Sequence, residues 1–433
     1  MTASVVPARR RTELGLVVLA AGVTIGGTTL ASLGKVGAPP AGLGAFAAVV
    51  AALLVAAHVA VRKLAPAADG VMLPLALVLN GIGYVFIARL SQRQAGLQSM
   101  WTAVGVVAFV ATLAGVRRIR DLERYRYLLL VGGVSLLLMP LVPGLGRNIN
   151  GNRIWIHIGP LGFQPGELAK IFLATFFAAY LVDNRELLAA KRRIGPFRVP
   201  EIRLRVLGPI LLAWGASILV MVAERDLGSS LLFFTMFVGM VWIATNQWLY
   251  LVGGLGLFSA GSIASYHLFG HVRTRVQIWI DPWSVAQGKG YQIVQSAFAF
   301  GSGGVTGSGL ALGSPQRIPY VSTDFIFAAI GEEMGFLGTA AIVIAFALLV
   351  ASGLRTALAL EHPFEKLLTS GLTLILGVQT FIIMGGVTRL VPLTGVTLPF
   401  VSYGGSSLVA NYILLALLVR ASHEANVEAV SLR

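Results

Sequence analysis

Residues 325–353 read FIFAAIGEEMGFLGTAAIVIAFALLVASG, an apolar run in which Glu332 and Glu333 are the only charged side chains. A helix of this length, rising about 1.5 Å per residue, can cross the roughly 30 Å hydrocarbon core of a bilayer. The stretch therefore predicts a membrane-spanning helix. A carboxylate inside a membrane is a candidate for function, and for Glu332 a structural salt bridge, with Lys170 for example, is an equally good explanation.

The rest of the chain has the same apolar character. Hydrophobic residues make up 56% of the 433 residues and charged residues only 12%, with a mean hydropathy of +0.81. A soluble globule is excluded because the chain lacks the polar residues to cover its surface, and disorder is excluded because disordered chains are poor in apolar residues. The chain has no cysteine, which excludes disulfides and thiolate metal sites. The composition predicts an all-α polytopic membrane protein.

We predict about twelve transmembrane helices (ten to twelve), since each needs roughly 20 apolar residues, with a long extracytoplasmic loop before the tenth. The predicted spans are residues 14–34, 42–61, 71–89, 98–116, 127–143, 167–184, 206–223, 227–245, 248–269, 325–353, 367–388 and 406–420.

The basic residues predict the orientation of these spans. With a cytoplasmic N-terminus, 21 of the 33 Lys and Arg fall on cytoplasmic segments, as the positive-inside rule requires. We therefore predict cytoplasmic tails at 1–12 and 421–433 around one membrane domain, 13–420. Most of the net charge of +15 is then a signal of topology and of contact with anionic lipids, so we expect no nucleic-acid partner.

Three stretches are too polar or too rich in Gly and Pro to be lipid-facing spans: 144–166, 270–324 and 389–405. An odd number of predicted spans precedes each of them, and also precedes the charged hairpin tip Glu224-Arg225-Asp226. All of these features are therefore predicted on the extracytoplasmic face, where they can form one site.

Several side chains in these stretches have both a structural and a functional explanation. Glu167 and Lys170 are three residues apart and can pair on one helix face; they are also a plausible helix start after Pro165. Asp226 and Asp324 each precede a span, where either could cap a helix. Asp324 could instead be a partly desolvated general base.

The aromatic and basic residues of the same stretches indicate a function less specifically. Trp155 suits a membrane interface as well as a binding site, and Arg153 could bind phosphate or be solvated. His157, His267 and His271 lack metal-ligand spacing and are predicted to be interfacial histidines.

Seven motifs, in order along residues 147–407, carry a specific resemblance. They are NGNRIWI at 150–156, FQPGELAK at 163–170, DLGS at 226–229, DP at 281–282, GYQ with QS at 290–296, TDFIFA with EEMG at 323–335, and PLTG with LPFVSYGGSS at 392–407. Together they resemble the SEDS family (shape, elongation, division, sporulation) of membrane peptidoglycan glycosyltransferases, which implies the SEDS fold.

The chain departs from the family pattern at three points. Gly166 stands where members usually have Ser, Ile383 lies where many carry Asn, and the family typically has ten spans, so the extra pair is expected upstream. These features look most like the rod-elongation branch, RodA, in its actinobacterial form.

The resemblance implies a reaction at the outer face of the bacterial cytoplasmic membrane. Lipid II is polymerised into β-1,4 glycan strands during cell elongation and the maintenance of cell shape, and undecaprenyl pyrophosphate is released. The matching essential carboxylate is Asp324, which we predict to be the general base of an inverting transfer. Glu167 and Lys170 complete the predicted catalytic group, with Glu167 holding Lys170.

The remaining site residues are predicted to bind substrate. They are Arg153, Trp155, Asp226, Arg273, Arg275, Glu332, Ser402 and Ser406. The segment 270–324 is the predicted catalytic loop. A divalent cation, Mg²⁺ or Mn²⁺, is expected near Asp324 and Asp226, with no organic cofactor. The expected partner is a class B penicillin-binding protein, a transpeptidase, in an elongation or division complex.

Three alternatives stay open. A lipid II flippase would place its site near the membrane midplane, a scaffold would have no activity of its own, and a division-branch polymerase of the FtsW type would catalyse the same reaction.

Overall fold

The structure is a computed structural model that describes residues 5–149, 152–158, 161–194, 197–200, 208, 211, 214, 215, 218, 219, 222 and 226–431. Within these residues the helices are α1 Val5–Val36, α2 Leu43–Leu64, α3 Met72–Leu90, α4 Gln92–Gly115, α5 Arg126–Leu138, α6 Gly166–Asp183, α7 Arg185–Ala189, α8 Leu227–Thr245, α9 Trp248–Leu268, α10 Gly270–Ile280, α11 Tyr291–Gly303, α12 Ile326–Ala359, α13 Pro363–Val387 and α14 Gly405–Ser431.

The structure confirms an all-α polytopic membrane protein. Ten of the predicted spans are helices long and apolar enough to cross a bilayer. The sixth predicted span is α6, a helix of 18 residues that carries Glu167, Lys170 and Asp183. The seventh, 206–223, lies mostly outside the described residues, as do Glu224 and Arg225 of the hairpin tip. The last helix continues to Ser431, well beyond the predicted end at residue 420.

Two polar segments that we predicted only as loops contain short strands. Between α5 and α6, β1 Gly146–Ile149, β2 Asn152–Ile158 and β3 Leu161–Phe163 form an antiparallel sheet in the order β1-β2-β3. Its register pairs Arg147 with Trp155 and Ile156 with Phe163. A second hairpin joins β4 Lys191–Ile194 to β5 Phe197–Pro200.

The burial of the helices separates a protein-packed centre from a lipid-facing periphery. Of the residues in the most apolar stretch of each helix, 94% are buried inside the protein in α14 and 78% in α13, but only 6% in α9. The apolar side chains of α9, such as Leu255 and Ile263, are exposed. The two central helices therefore form the support on which the site is built.

The predicted catalytic loop 270–324 is largely structured. It contains α10, α11 and two 3₁₀ turns, Trp283–Val285 and Pro315–Arg317. The segment after α11 packs into a break in α12, where Gly335 has a φ of 66°. Phe336 and Leu337 donate their backbone N–H groups to the carbonyls of Gly304 and Val305 across this break. A side chain at Gly335 would collide with that backbone, so glycine is needed there.

Candidate active site

A cavity of about 390 Å³ lies where α8, α11 and α12 begin and α13 ends, and we call this end of the protein the cavity face. Its polar lining residues are Asp226, His271, Arg275, Trp279, Lys289, Gln292, Tyr320, Asp324, Arg389 and Thr394, and Ile154 of β2 closes one side. The polar stretches predicted to share one face therefore do meet there.

Asp324 stands two residues before α12, in a turn held on both sides. Its backbone N–H donates to the Tyr320 carbonyl at 3.2 Å. The preceding residue is fixed by Ser402, whose hydroxyl donates to the Thr323 carbonyl and accepts from the Leu398 N–H. Burial raises the pKa of the Asp324 carboxyl to about 6, while Thr323 and the Arg275 guanidinium limit the rise. A carboxyl with this pKa is still largely ionised at neutral pH and can accept a proton.

Arg275 of α10 is the cation beside this carboxylate. Its Nη1 donates to the carbonyls of Leu393 and Thr394 at 3.0 and 2.8 Å. Burial lowers the pKa of the guanidinium, and Asp226 and Asp324 oppose that change. The next residue, Gly395, has a φ of 77°, and a Cβ there would lie 3.8 Å from Asp324 Oδ2 and 3.9 Å from Arg275 Nη2. The Asp324 carboxylate and the Arg275 guanidinium therefore both lie close to the backbone bend at Gly395.

The structure confirms the predicted role of Asp226 as a helix cap. Its carboxylate caps α8, accepting from the Ser229 N–H at 3.0 Å and from the Ser229 hydroxyl at 2.6 Å. Burial raises the pKa of this carboxyl, whereas the two Ser229 hydrogen bonds lower it. Because Asp226 also lines the cavity, the cap sets a second carboxylate opposite Arg275.

Glu167 and Lys170 form a buried pair on the first turns of α6. The Lys170 ammonium donates to Glu167 Oε2 and to Gln379 Oε1 of α13, both at 2.7 Å. Gln379 in turn donates to the carbonyl of Thr397 at 2.9 Å. Lys170 is only 2% exposed. We call these four residues the lysine network; it joins α6 and α13 to the 388–404 segment that carries Gly395.

Glu332 and Glu333 bind the loop between α11 and α12. Arg89 of α3 lies 2.7 Å from Glu333 Oε1 and donates to Gln316 and to the Gly313 carbonyl. Glu333 Oε2 accepts from the Ala311 N–H, and Glu332 Oε1 accepts from the Ser314 N–H. We call Arg89, Glu332 and Glu333 the arginine clamp. The suggested Glu332–Lys170 pair is not formed.

Other predicted site residues lie around the cavity rather than in its lining. Arg153 and Trp155 are half-buried and flank Ile154, which does line it. Arg273 is exposed and donates to the carbonyls of Tyr266 and His267. Ser406 is buried on the first turn of α14.

Five polar residues of the cavity lining were missed. The prediction of His271 as an interfacial residue did not place it in the cavity, and Trp279, Lys289, Tyr320 and Arg389 were not considered. Tyr320 and Arg389 have positive φ values of 57° and 62°, a conformation that is strained for such residues and concentrates at functional sites. No local sequence pattern marks either of them.

A protein-held metal site is not built among the described residues, which contain no cluster of three His, Asp or Glu side chains able to hold a cation. Both oxygens of Asp226 are already directed at Ser229. Asp226 and Asp324 therefore do not form a metal site by themselves, but one or two carboxylates can hold Mg²⁺ together with substrate phosphates, so the expected divalent cation stays a prediction.

Comparison with known proteins assigns the family. A family model named for FtsW, RodA and SpoVE, and described as "Cell cycle protein", matches residues 71–427. The helices α1 and α2 precede that range, where the extra pair of spans was expected. The peptidoglycan glycosyltransferase RodA of Mycobacterium tuberculosis is 44% identical over 432 residues, covering 97% of this chain and 92% of the relative.

Solved structures show the same fold. A structure described as the structural coordination of polymerization and crosslinking by a peptidoglycan synthase complex has a TM-score of 0.69 at 26% identity, covering 83% of this chain and 98% of that chain. The rod shape determining protein RodA of Thermus thermophilus has a TM-score of 0.59 at 26% identity, covering 82% and 97%. The chain therefore belongs to the FtsW/RodA/SpoVE family, the SEDS proteins, and is of the RodA type.

Proposed function

We propose that this protein is a peptidoglycan glycosyltransferase that polymerises lipid II into β-1,4 glycan strands during cell elongation. The observation that carries the proposal is the position of Asp324. Its carboxyl lines the cavity with a pKa raised to about 6 and stands beside Arg275. The identity to RodA supports the same reaction and favours elongation over a division-branch role.

The proposed reaction is an inverting transfer with Asp324 as the base. The acceptor hydroxyl gives its proton to the Asp324 carboxylate as its oxygen forms a bond to the anomeric carbon of the donor. The bond from that carbon to the phosphate oxygen breaks, and its electron pair leaves with the undecaprenyl diphosphate. Attack opposite the leaving group converts the α-linked donor into a β-glycoside, so a covalent enzyme intermediate is not needed.

The surrounding residues position this chemistry. Arg275 is held by two backbone carbonyls, so its charge is fixed before the reaction, which is the condition for effective stabilisation of a developing anion. Arg153, Trp155, Arg273 and Ser406 remain predicted substrate-binding residues, and Glu332, which was also predicted to bind substrate, is assigned here to the arginine clamp. In our proposal Ser402 and the lysine network act indirectly, by fixing the turn at Asp324 and the segment around Gly395.

The proposed setting is the outer face of the cytoplasmic membrane, with both termini in the cytoplasm and lipid II presented by the outer leaflet. The distribution of Lys and Arg supports this orientation. A class B penicillin-binding protein is the proposed partner, because the similar solved structure is a complex that coordinates polymerization and crosslinking. A requirement for Mg²⁺ or Mn²⁺ remains a prediction.

The decisive experiment compares Asp324→Asn with Asp121→Asn in full-length protein, with and without a class B partner, on purified lipid II. Asp121 is exposed in the 3₁₀ turn Ile119–Tyr125 before α5, away from the cavity lining. We expect Asp324→Asn to abolish polymer and Asp121→Asn to leave it unchanged, with equal expression and thermal unfolding. Undiminished polymer from Asp324→Asn would overturn the assignment of the base.

The flippase alternative predicts a different result. Its site would lie near the membrane midplane with access from both sides, whereas the described cavity is at the ends of the helices. Reconstituted vesicles that translocate lipid II without forming polymer would favour the flippase. A scaffold would form no polymer with or without the partner.

A further inference from the structure

The cations of the cavity fall into two groups that differ in how their charge is balanced. Arg275 has two carboxylates near it, Asp226 and Asp324, whose negative charges act on its guanidinium and balance its charge. Lys289 and Arg389 line the same cavity, and neither forms a salt bridge among the described residues. We call these two residues the basic rim.

Helix α10 gives the spacing between the two groups. Arg275 donates to the carbonyls of Leu393 and Thr394, and one turn later the carbonyls of Trp279 and Ile280 accept from Arg389 Nη2, both at 3.2 Å. The 389–394 segment therefore runs alongside α10 in the opposite direction. Four residues of helix correspond to about 6 Å, which is the offset along α10 between Arg275 and the carbonyls that hold Arg389.

Arg389 is fixed at that end by reciprocal bonds. Its carbonyl accepts from Trp279 Nε1 at 3.0 Å, and its backbone is held at a φ of 62°. The Nε–H of Arg389 is buried and has no acceptor among the described residues. An immobilised guanidinium that keeps an unused donor is suited to phosphate oxygens.

Lys289 supplies the second positive charge. It is exposed immediately before α11, whose Gln292 and Ile293 line the same part of the cavity. An ammonium group on a flexible chain can follow a diphosphate as it leaves, whereas Arg389 is fixed.

We propose that the basic rim binds the diphosphate of the donor lipid, so that the donor enters beside α10 and α11 and the acceptor enters from the Asp226 and Ile154 side. This assignment rests on the proposed glycosyl transfer. It places the leaving group about one helical turn from Asp324, as required when the base and the leaving group stand on opposite sides of the anomeric carbon. It also assigns the diphosphate to two residues that the sequence did not single out.

Binding tests this proposal independently of turnover. Full-length protein in nanodiscs is titrated with undecaprenyl diphosphate and, separately, undecaprenyl monophosphate. We expect the wild type to bind the diphosphate more tightly, and Lys289→Gln to weaken diphosphate binding by about tenfold, the loss typical of one charge-assisted contact, with little change for the monophosphate. Arg389→Gln should act in the same direction.

Arg317→Gln is the matched control, because Arg317 is an exposed cation of the same loop that does not line the cavity. Lys289 is exposed, so its replacement leaves packing intact and its result stands even if Arg389→Gln is unstable. An unchanged preference for diphosphate in Lys289→Gln, or an equal loss in Arg317→Gln, would overturn the assignment. A wild type that binds diphosphate through the basic rim but forms no polymer would contradict the proposed function alone.

Discussion

The lysine network and the arginine clamp are built from the same kinds of residues, but they hold different parts of the protein. Lys170 and Glu167 lie on α6 and reach through Gln379 to the segment that carries Gly395, next to Asp324. Arg89 and Glu333 join α3 to α12 and hold the segment 311–316 by its backbone. Residue type therefore does not distinguish a functional ion pair from a structural one; we expect the third group that each pair contacts to do so.

The largest expected effect separates stability from turnover in the lysine network. Lys170→Met leaves Glu167 as a buried unpaired carboxylate, which costs about 3–5 kcal/mol, and we expect turnover to fall by roughly 10²-fold, as for a misplacement of the catalytic geometry from a distance. Adding Glu167→Gln should restore thermal unfolding but not polymer synthesis. If the double variant regained turnover, the lysine network would have only a structural role, as we expect for the arginine clamp.

The arginine clamp should respond in the opposite way. Arg89→Met alone leaves Glu333 as a buried unpaired carboxylate and is expected to lower the free energy of unfolding by about 3–5 kcal/mol. The double variant Arg89→Met with Glu333→Gln should recover both stability and turnover, because only the anchoring of the 304–317 segment changes. Thermal unfolding measures the stability, limited proteolysis measures the anchoring of that segment, and lipid II polymerisation measures turnover. If a stable double variant still lost turnover, the arginine clamp would contribute to the reaction as well as to stability.

The pH dependence of turnover should distinguish the site around Asp324 from the arginine clamp, although by a smaller effect. The base acts when deprotonated, so with a pKa of about 6 for Asp324 turnover should be near its plateau at neutral pH, half of it near pH 6, and tenfold lower for each further unit. Arg275→Gln removes the cation that lowers this pKa and should move the midpoint upward. Initial rates between pH 5 and 8 test this, and a matching shift in a clamp variant would contradict it.

The smallest expected effect concerns Glu332. Its carboxylate accepts one backbone hydrogen bond, from Ser314, and Gln retains an oxygen acceptor at that position. We expect Glu332→Gln to change the free energy of unfolding by about 1 kcal/mol or less and to leave polymer synthesis near wild type. A large loss of turnover with normal unfolding would restore Glu332 as a substrate-binding residue.

Features with a strong physical cause were predictable from the sequence. Ten spans follow from the length of apolar runs, and the convergence of the polar stretches follows from the parity of those spans. Asp226 and Asp324 were identified as residues at helix starts, and both line the cavity. The small sheet around Trp155 was missed because its strands are short and lie in a polar stretch rich in Gly.

Side-chain direction within the 270–324 segment was not predictable. Arg273 and Arg275 look equivalent in the sequence, but α10 turns by about 200° over two residues, so Arg275 lines the cavity and Arg273 points away. Lys289 and Arg389 are 100 positions apart and line the same cavity because the 389–394 segment folds back along α10. Such long-range contacts leave no local pattern.

The direction of the helices at the cavity face has one more consequence. The helices α6, α8, α11 and α12 all begin there, and each helix start carries the equivalent of roughly half a positive charge from its aligned peptide dipoles. The end of α13 lies at the same face and carries the opposite partial charge, so the positive field is local to the helix starts and does not extend over the whole face. An anion that enters the cavity beside those starts would meet a favourable backbone field, whatever the protonation of the side chains, and no single side-chain substitution removes it.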